Sequence, residues 1–174
     1  MNVYISNTLP GHEGAWELLR QCAGLDALPP IAREAGGKPF FPDRPNLRFN
    51  LSHSGPYSLC ALGTTPVGVD VQIIKDRWHK RLPARVCAPE QLRWLEGQPD
   101  PRRAFTLLWC LKEARVKYDG AGLRGDIRAI PVPLPVPGQS LYSMDGLWFR
   151  VYEGADHFAA VCGEEPPPEH LKWV

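Results

Sequence analysis

Glu113 and Lys117 stand four residues apart in Trp109-Cys-Leu-Lys-Glu-Ala-Arg-Val-Lys117. At that spacing an acid and a base share one helix face, and Trp109 lies one turn earlier on the same stripe. A second acid, Asp70, sits in Val67-Gly-Val-Asp-Val-Gln72. Ser52-His-Ser-Gly55 adds hydroxyls, an imidazole and a turn. Taken singly these are a wet ion pair, a strand end and a loop. Together they are able to hold a divalent metal, a phosphate chain and a proton acceptor. Magnesium prefers oxygen ligands and commonly uses one or two carboxylates beside waters and substrate phosphates. Asp70 and Glu113 fit that habit, with Gln72 offering a neutral oxygen. Hydroxyls and backbone N–H groups near a glycine cradle phosphate oxygens, a role open to Ser52 and His53. No strained Gly-x-Ser-x-Gly elbow is present to make a nucleophilic triad.

These residues need elements to position them. The sequence predicts a first strand at Val3–Ile5 and a helix over Glu13–Ala23, ended by Pro29-Pro30. Residues 36–46, with two glycines and three prolines, read as a loop. Leu47–His53 and Tyr57–Gly63 read as strands joined through Ser54-Gly-Pro56, followed by a strand at Val67–Ile73. Alternation then puts Val67, Val69 and Val71 inward, with Gly68, Asp70 and Gln72 on the other face. Arg77–Val86 reads as a basic helix and Pro89–Leu95 as a short one. Asp100 is placed to cap a long helix from Pro101. Its apolar face is Ala104, Leu107, Leu108, Leu111 and Ala114, and Gly120-Ala-Gly122 stops it. Strands are expected near Ile127–Val132, Leu141–Ser143, Leu147–Tyr152 and His157–Cys162, with a rigid loop at Pro131–Gly138 and a loose tail from Glu164.

The whole-molecule numbers exclude more than they specify. A length of 174 residues suits one domain or two small halves with a shared core. A formal net charge of +1 argues for neither nucleic acid nor membrane as partner. Five scattered cysteines without a Cys-x-x-Cys suggest neither a disulfide framework nor a zinc site. No leader sequence and no spanning segment are apparent, which leads to the expectation of a cytoplasmic protein. The run Lys75, Arg77, Lys80, Arg81 and Arg85 reads either as a solvated helix face or, given the interleaved Trp78 and Leu82, as a docking surface for an acidic protein.

Joined in order, the pieces resemble one family. Gly37-Lys-Pro, Phe49-Asn-Leu-Ser-His-Ser-Gly55, Val67-Gly-Val-Asp70, Glu90 in a short helix, Trp109-x-x-Lys-Glu-Ala-x-x-Lys117 and Gly120-x-Gly-Leu123 follow the pattern of the Sfp-type 4'-phosphopantetheinyl transferases. The likeness runs from about Gly36 to the last strand. It implies an α+β fold of two similar α/β halves in pseudo-twofold arrangement, with the active site in the cleft between them. The divisions expected are 1–65, 66–163 and a tail at 164–174. It further implies coenzyme A as donor, Mg²⁺ as cofactor, and a serine of an apo acyl or peptidyl carrier protein as acceptor, docked partly through segment 75–85. Carried over by position, Asp70 and Glu113 hold the metal with Gln72 beside them. Lys117 contacts the phosphates and supports transfer. Lys38, Ser52 and His53 hold the nucleotide's phosphates. Glu113, directly or through water, accepts the serine proton. A monomer is expected.

Two features depart from the family pattern. Many relatives carry an acid where this chain has Gln72, so metal affinity should be weaker. Relatives also bring Lys and Arg to the nucleotide from a longer basic N-terminal segment, whereas residues 1–36 here contain only Arg20 and Arg33. The basic role then falls to Lys38 or Arg48. A relative that binds coenzyme A or a carrier without transferring is the competing reading. Another Mg²⁺-dependent phosphotransferase is less apt, since no Gly-x-x-x-x-Gly-Lys-[Ser/Thr] loop is present.

Overall fold

In a computed structural model, which describes residues 1–76, 79, 81–120, 122 and 125–174, the first strand runs Asn2–Ser6 (β1) and the first helix Gly11–Cys22 (α1). Within residues 36–46, expected as a loop, Pro39–Phe40 (β3) is a short strand that pairs with Ala32–Arg33 (β2) just upstream in a small ribbon. Arg48–Ser54 (β4) and Tyr57–Gly63 (β5) form a hairpin in which Ser54 faces Tyr57. Its two-residue loop opens on Gly55 at φ +56°, since such tight hairpins need a positive φ that glycine takes without strain. β5 also pairs with β1, so that three strands of the first, four-stranded sheet run in the order β4-β5-β1.

Val67–Ile73 (β6) begins a second sheet with Leu141–Met144 (β7), Leu147–Glu153 (β8) and His157–Gly163 (β9), all antiparallel in the order β6-β9-β8-β7. Among the described residues, three α-helices lie between β6 and β7 in the chain: Pro83–Val86 (α2), Pro89–Glu96 (α3) and Pro101–Asp119 (α4). Asp100 caps α4 as its sequence position predicts, Oδ1 accepting from the N–H groups of Arg102 and Arg103 at 3.0 and 3.1 Å. Gly120 closes the helix at φ +69°, the left-handed conformation that terminates helices. The architecture is α+β, as expected from the sequence.

The alternation read along β6 separates its two faces. Val67, Val69 and Val71 pack with Val3, Ile5, Leu59 and Val161 in one core cluster. The opposite face lies against α4, whose Leu108, Cys110, Leu111 and Ala114 are fully buried in another. Each such leucine contributes roughly 1.5–3 kcal/mol by burial. Gly68 makes the contact possible, because a β-carbon there would lie 2.0 Å from the Ala114 carbonyl oxygen. The room it leaves is filled by the helix backbone rather than by a ligand.

Three local expectations are corrected. Residues Ile127–Ala129 form a single 3-10 turn (η1) and not a strand. The ammonium of Lys112, 1% exposed on α4, takes the carbonyls of Ile127, Arg128 and Ile130 at 3.0–3.3 Å, and Pro131, Pro133 and Pro135 offer no N–H to a ladder. Among the described residues of the basic segment, helix is limited to the one turn Pro83–Val86, while Arg77, Trp78 and Lys80 lie outside the described residues, as does Leu123. The tail is held rather than loose. The Arg150 guanidinium donates to the Pro167 carbonyl at 3.0 Å, and Lys172–Trp173 (β10) pairs in parallel with β1.

Candidate active site

β4 and β6 are the facing edges of the two sheets, and side chains replace the missing ladder between them. Asn50 Oδ1, Ser52 Oγ and Ser54 Oγ accept from the N–H groups of Val69, Val71 and Ile73 at 2.8, 3.2 and 3.1 Å. Both strands advance two residues per step, so one face of β4 satisfies the open edge of β6. This seam sets Ser52 beside Asp70.

Asp70 is 2% exposed and fully engaged. Its Oδ1 accepts from the Ser52 hydroxyl at 2.7 Å and from Lys117 Nζ at 2.7 Å, and its Oδ2 accepts from Gln72 Nε2 at 2.9 Å. Lys117 Nζ also donates to Ser52 Oγ at 2.9 Å. A buried carboxylate is tolerable only with such partners. Ser52 is thus a positioning group within the seam, its hydroxyl already in three bonds.

Glu113, one turn before Lys117 on α4, is only half-buried, and no hydrogen bond to its carboxylate is seen among the described residues. Burial raises its pKa, the Asp70 charge adds to the rise, and Lys117 partly offsets it. Asp70, Gln72, Glu113 and Lys117 line one cavity of about 440 Å³ with Ser52 and His53. The donor set suits Mg²⁺: two carboxylates and an amide oxygen are hard oxygen ligands, and no ion pair to Glu113 is seen among the described residues. Nowhere among the described residues do three His, Cys, Asp or Glu side chains gather, so any metal here depends on the two acids together with water or phosphate.

Six of the seven sequence-chosen site residues therefore share one cavity, and Lys38 does not. Its ammonium donates to the carbonyls of Val67 and Tyr118 at 2.9 and 3.0 Å, tying the start of β6 to the end of α4. Burial lowers its pKa. With Arg48, which faces Glu34 at 3.9 Å, it lines a separate pocket of about 330 Å³. The cation that joins Lys117 at the cavity is Arg33. His12 and Trp16 also line it, and the sequence reading assigns none of these three to the site. The only signal available is the i,i+4 spacing of His12 and Trp16 on α1.

Beyond Gln72 and Trp109 the cavity adjoins a groove of about 310 Å³ lined by Lys75, His79, Leu82, Arg102 and Phe105. Lys75, Arg81 and Arg85 are exposed, and Leu82 is 39% exposed. A family model for the 4'-phosphopantetheinyl transferase superfamily matches residues 66–162, more than half of the chain. The chain is similar to a 4'-phosphopantetheinyl transferase of Bacillus subtilis, 31% identical over 137 residues covering 75% of this chain and 61% of the relative. It is also similar to 4'-phosphopantetheinyl transferase Sfp of Bacillus subtilis strain 168, 31% identical over 147 residues (79% and 65%). A putative 4'-phosphopantetheinyl transferase of Haemophilus influenzae is 34% identical over 154 residues (84% and 64%). The matches span less than two thirds of these relatives' lengths.

Proposed function

Because the chain belongs to the 4'-phosphopantetheinyl transferase superfamily, we propose that it transfers the 4'-phosphopantetheine arm of coenzyme A to a serine of an apo acyl or peptidyl carrier protein. Adenosine 3',5'-bisphosphate is the leaving product. The observation that carries this reading is the convergence of Asp70, Glu113 and Lys117, far apart in the chain, on one cavity.

Positioning and charge neutralisation dominate phosphoryl transfer, and these residues supply both. The serine oxygen bonds to the pantetheine-side phosphorus, and the bond to the bridging oxygen breaks with its electron pair leaving on the bisphosphate. The serine proton passes to Glu113, whose raised pKa makes it a stronger base than an ordinary carboxylate. Lys117 donates to the phosphate oxygens, its ammonium oriented by Asp70 and Ser52. Mg²⁺, when bound, supplies charge that lowers repulsion toward the incoming oxygen; Asp70, Glu113 and Gln72 are its proposed ligands. His53, exposed at the rim, is a phosphate contact.

The carrier is proposed to dock along Lys75–Arg85 and its neighbouring groove, which leads from the protein surface to Gln72 and Trp109. The two sheets, each with its main helix, read as the two related halves, meeting at the β4–β6 seam. A monomer working in a reducing cytoplasm suits five cysteines that are all unpaired.

The deciding experiment incubates the protein with coenzyme A, Mg²⁺ and an apo carrier and reads the carrier by mass spectrometry. A phosphopantetheine adduct is expected, absent with Asp70→Ala. Binding of both substrates with no adduct would favour a non-catalytic relative.

A further inference from the structure

Lys112 precedes Glu113 in the motif but is not part of the same cavity. One residue along a helix turns a side chain by about 100°, and the lining that includes Glu113 and Lys117 does not include Lys112. Lys112 is 1% exposed. An ammonium has three N–H donors, and here all three go to one short segment. Nζ donates to the carbonyls of Ile127, Arg128 and Ile130 at 3.0, 3.3 and 3.2 Å. No carboxylate pairs with Lys112 among the described residues; Asp126, which caps η1, faces Arg128 at 2.8 Å. Burying an ammonium here costs more desolvation than a methionine of similar length would. What the charge adds is a fixed orientation for three carbonyls.

The turn needs such a hold. Its other hydrogen bonds are local: the N–H groups of Ala129 and Ile130 donate to the carbonyls of Asp126 and Ile127, and Arg128 donates to the Asp126 carboxylate. Among the described residues, no other hydrogen-bonding group from outside 125–130 reaches it. α2 packs on η1 and is tied even less. Its neighbourhood bonds only to itself among the described residues, Arg81 and Leu82 to His79, Arg85 to Leu82 and Cys87 to Pro83. Packing therefore places α2. Pro83, Val86 and Cys87 are buried, the last two in the cluster against which Ile127 and Ile130 pack. Burial pushes the Cys87 thiol up and the Lys112 charge pulls it back, so the ammonium lies close to the residue that ends α2. On the outer side, Leu82 lines the groove that leads to Gln72 and Trp109, and Arg81 and Arg85 are exposed beside it.

We infer that Lys112 is a positioning residue for carrier recognition: its ammonium fixes η1, η1 supports α2, and α2 sets Leu82, Arg81 and Arg85 for the incoming acidic surface. Glu113 and Lys117, on the same helix, act at the reacting phosphate instead. The inference rests on the proposed docking along Lys75–Arg85 for the identity of the partner, but not for the clamp.

Steady-state transfer to an apo carrier tests it, with donor and carrier varied separately. Lys112→Met should raise the carrier KM about fivefold while kcat and the coenzyme A KM stay within about twofold of wild type. Val86→Ala, which loosens α2 on η1 without touching the motif, should shift the same constant in the same direction. Hydrogen exchange gives a readout independent of activity: in Lys112→Met the amides of 82–87 and 127–130 should exchange faster, and those of Val69, Val71 and Ile73 in the seam should not. A coenzyme A KM that rises with the carrier KM, or a loss confined to kcat, overturns the inference. Should Lys112→Met fail to fold, an unchanged carrier KM in Val86→Ala overturns it equally. A wild-type chain that makes no adduct fails the transferase reading and leaves this one to exchange and carrier binding. Faster exchange across 82–87 with weakened carrier binding then upholds the clamp, and exchange like wild type ends it.

Discussion

Lys117 reaches from the last turn of α4 to place its ammonium 2.7 Å from Oδ1 of Asp70, a carboxylate 2% exposed where the lysine side chain is 26% exposed. Removing one partner of a buried pair strands the other charge, which costs more than the pair itself contributes. Since Lys117 is partly wet, Lys117→Met should cost about 2 kcal/mol rather than the full buried-pair penalty. Asp70→Asn combined with Lys117→Met should cost less than the sum of the single changes, with an interaction of about 1–2 kcal/mol in urea unfolding. Strict additivity would mean the two groups do not sense each other in solution.

Glu113 gives the pH prediction. Its folded pKa is raised by burial first and by Asp70 second. A group whose folded pKa exceeds its unfolded value contributes stability that is fully present below the unfolded pKa and lost as pH rises through the folded one. Without divalent metal, Glu113→Gln should therefore melt like wild type in acid but higher than wild type above the carboxylate range. The same variant should lose about 10²–10⁴ in transfer rate, the usual worth of a positioned base. Equal melting curves at neutral pH would contradict the burial penalty.

Gln72 spans Asp70 Oδ2 with its amide at 2.9 Å. Replacing it by Glu turns a donor into a third negative charge beside two others. In chelator the variant should melt lower than wild type; with millimolar Mg²⁺ it should recover or exceed it, and its metal affinity should rise about tenfold. A melting temperature indifferent to Mg²⁺ would remove position 72 from the metal.

How far the site can be read from sequence depends on which physics each residue obeys. Asp70, Glu113 and Lys117 are legible because strand and helix periods dictate which face each takes. Asp100 and Gly120 are legible because helix ends have unmet backbone groups with known remedies. The seam of Asn50, Ser52 and Ser54 against β6 is not, since nothing in a polar alternation reveals that the neighbouring edge lies in another sheet. For the same reason the sequence assigns Lys38 to the phosphates and gives Lys112 no role of its own, although both ammonium groups clamp backbone carbonyls distant in sequence. His12 and Arg33 reach the cavity only through tertiary packing of α1 and the β2–β3 ribbon.

Arg81 and Arg85 lie exposed beside the groove that opens toward Gln72 and Trp109. If an acidic carrier surface settles there, the double reversal Arg81→Glu with Arg85→Glu should raise the carrier KM about tenfold and flatten its salt dependence, as loss of complementary charge does. Coenzyme A affinity should be unaffected. An unchanged carrier KM would reduce the segment to a solvated edge.

Lys38 separates a structural from a ligand-binding role. Its ammonium holds Val67 and Tyr118 together through their carbonyls, at the point where β6 enters the site and α4 leaves it. Hydrogen bonds to charged groups contribute roughly 1.5–3 kcal/mol, less the cost of burying the charge; burial here lowers the pKa, so part of that gain is offset. Lys38→Met should therefore destabilise by about 1 kcal/mol in urea unfolding while leaving the donor KM within about twofold. The opposite pattern, an unchanged unfolding midpoint with a donor KM raised about tenfold, would show that the side chain swings out to the phosphates when substrate arrives. The clamp would then belong to the empty enzyme only, and the β6–α4 junction would have to be held by Gly68 packing alone.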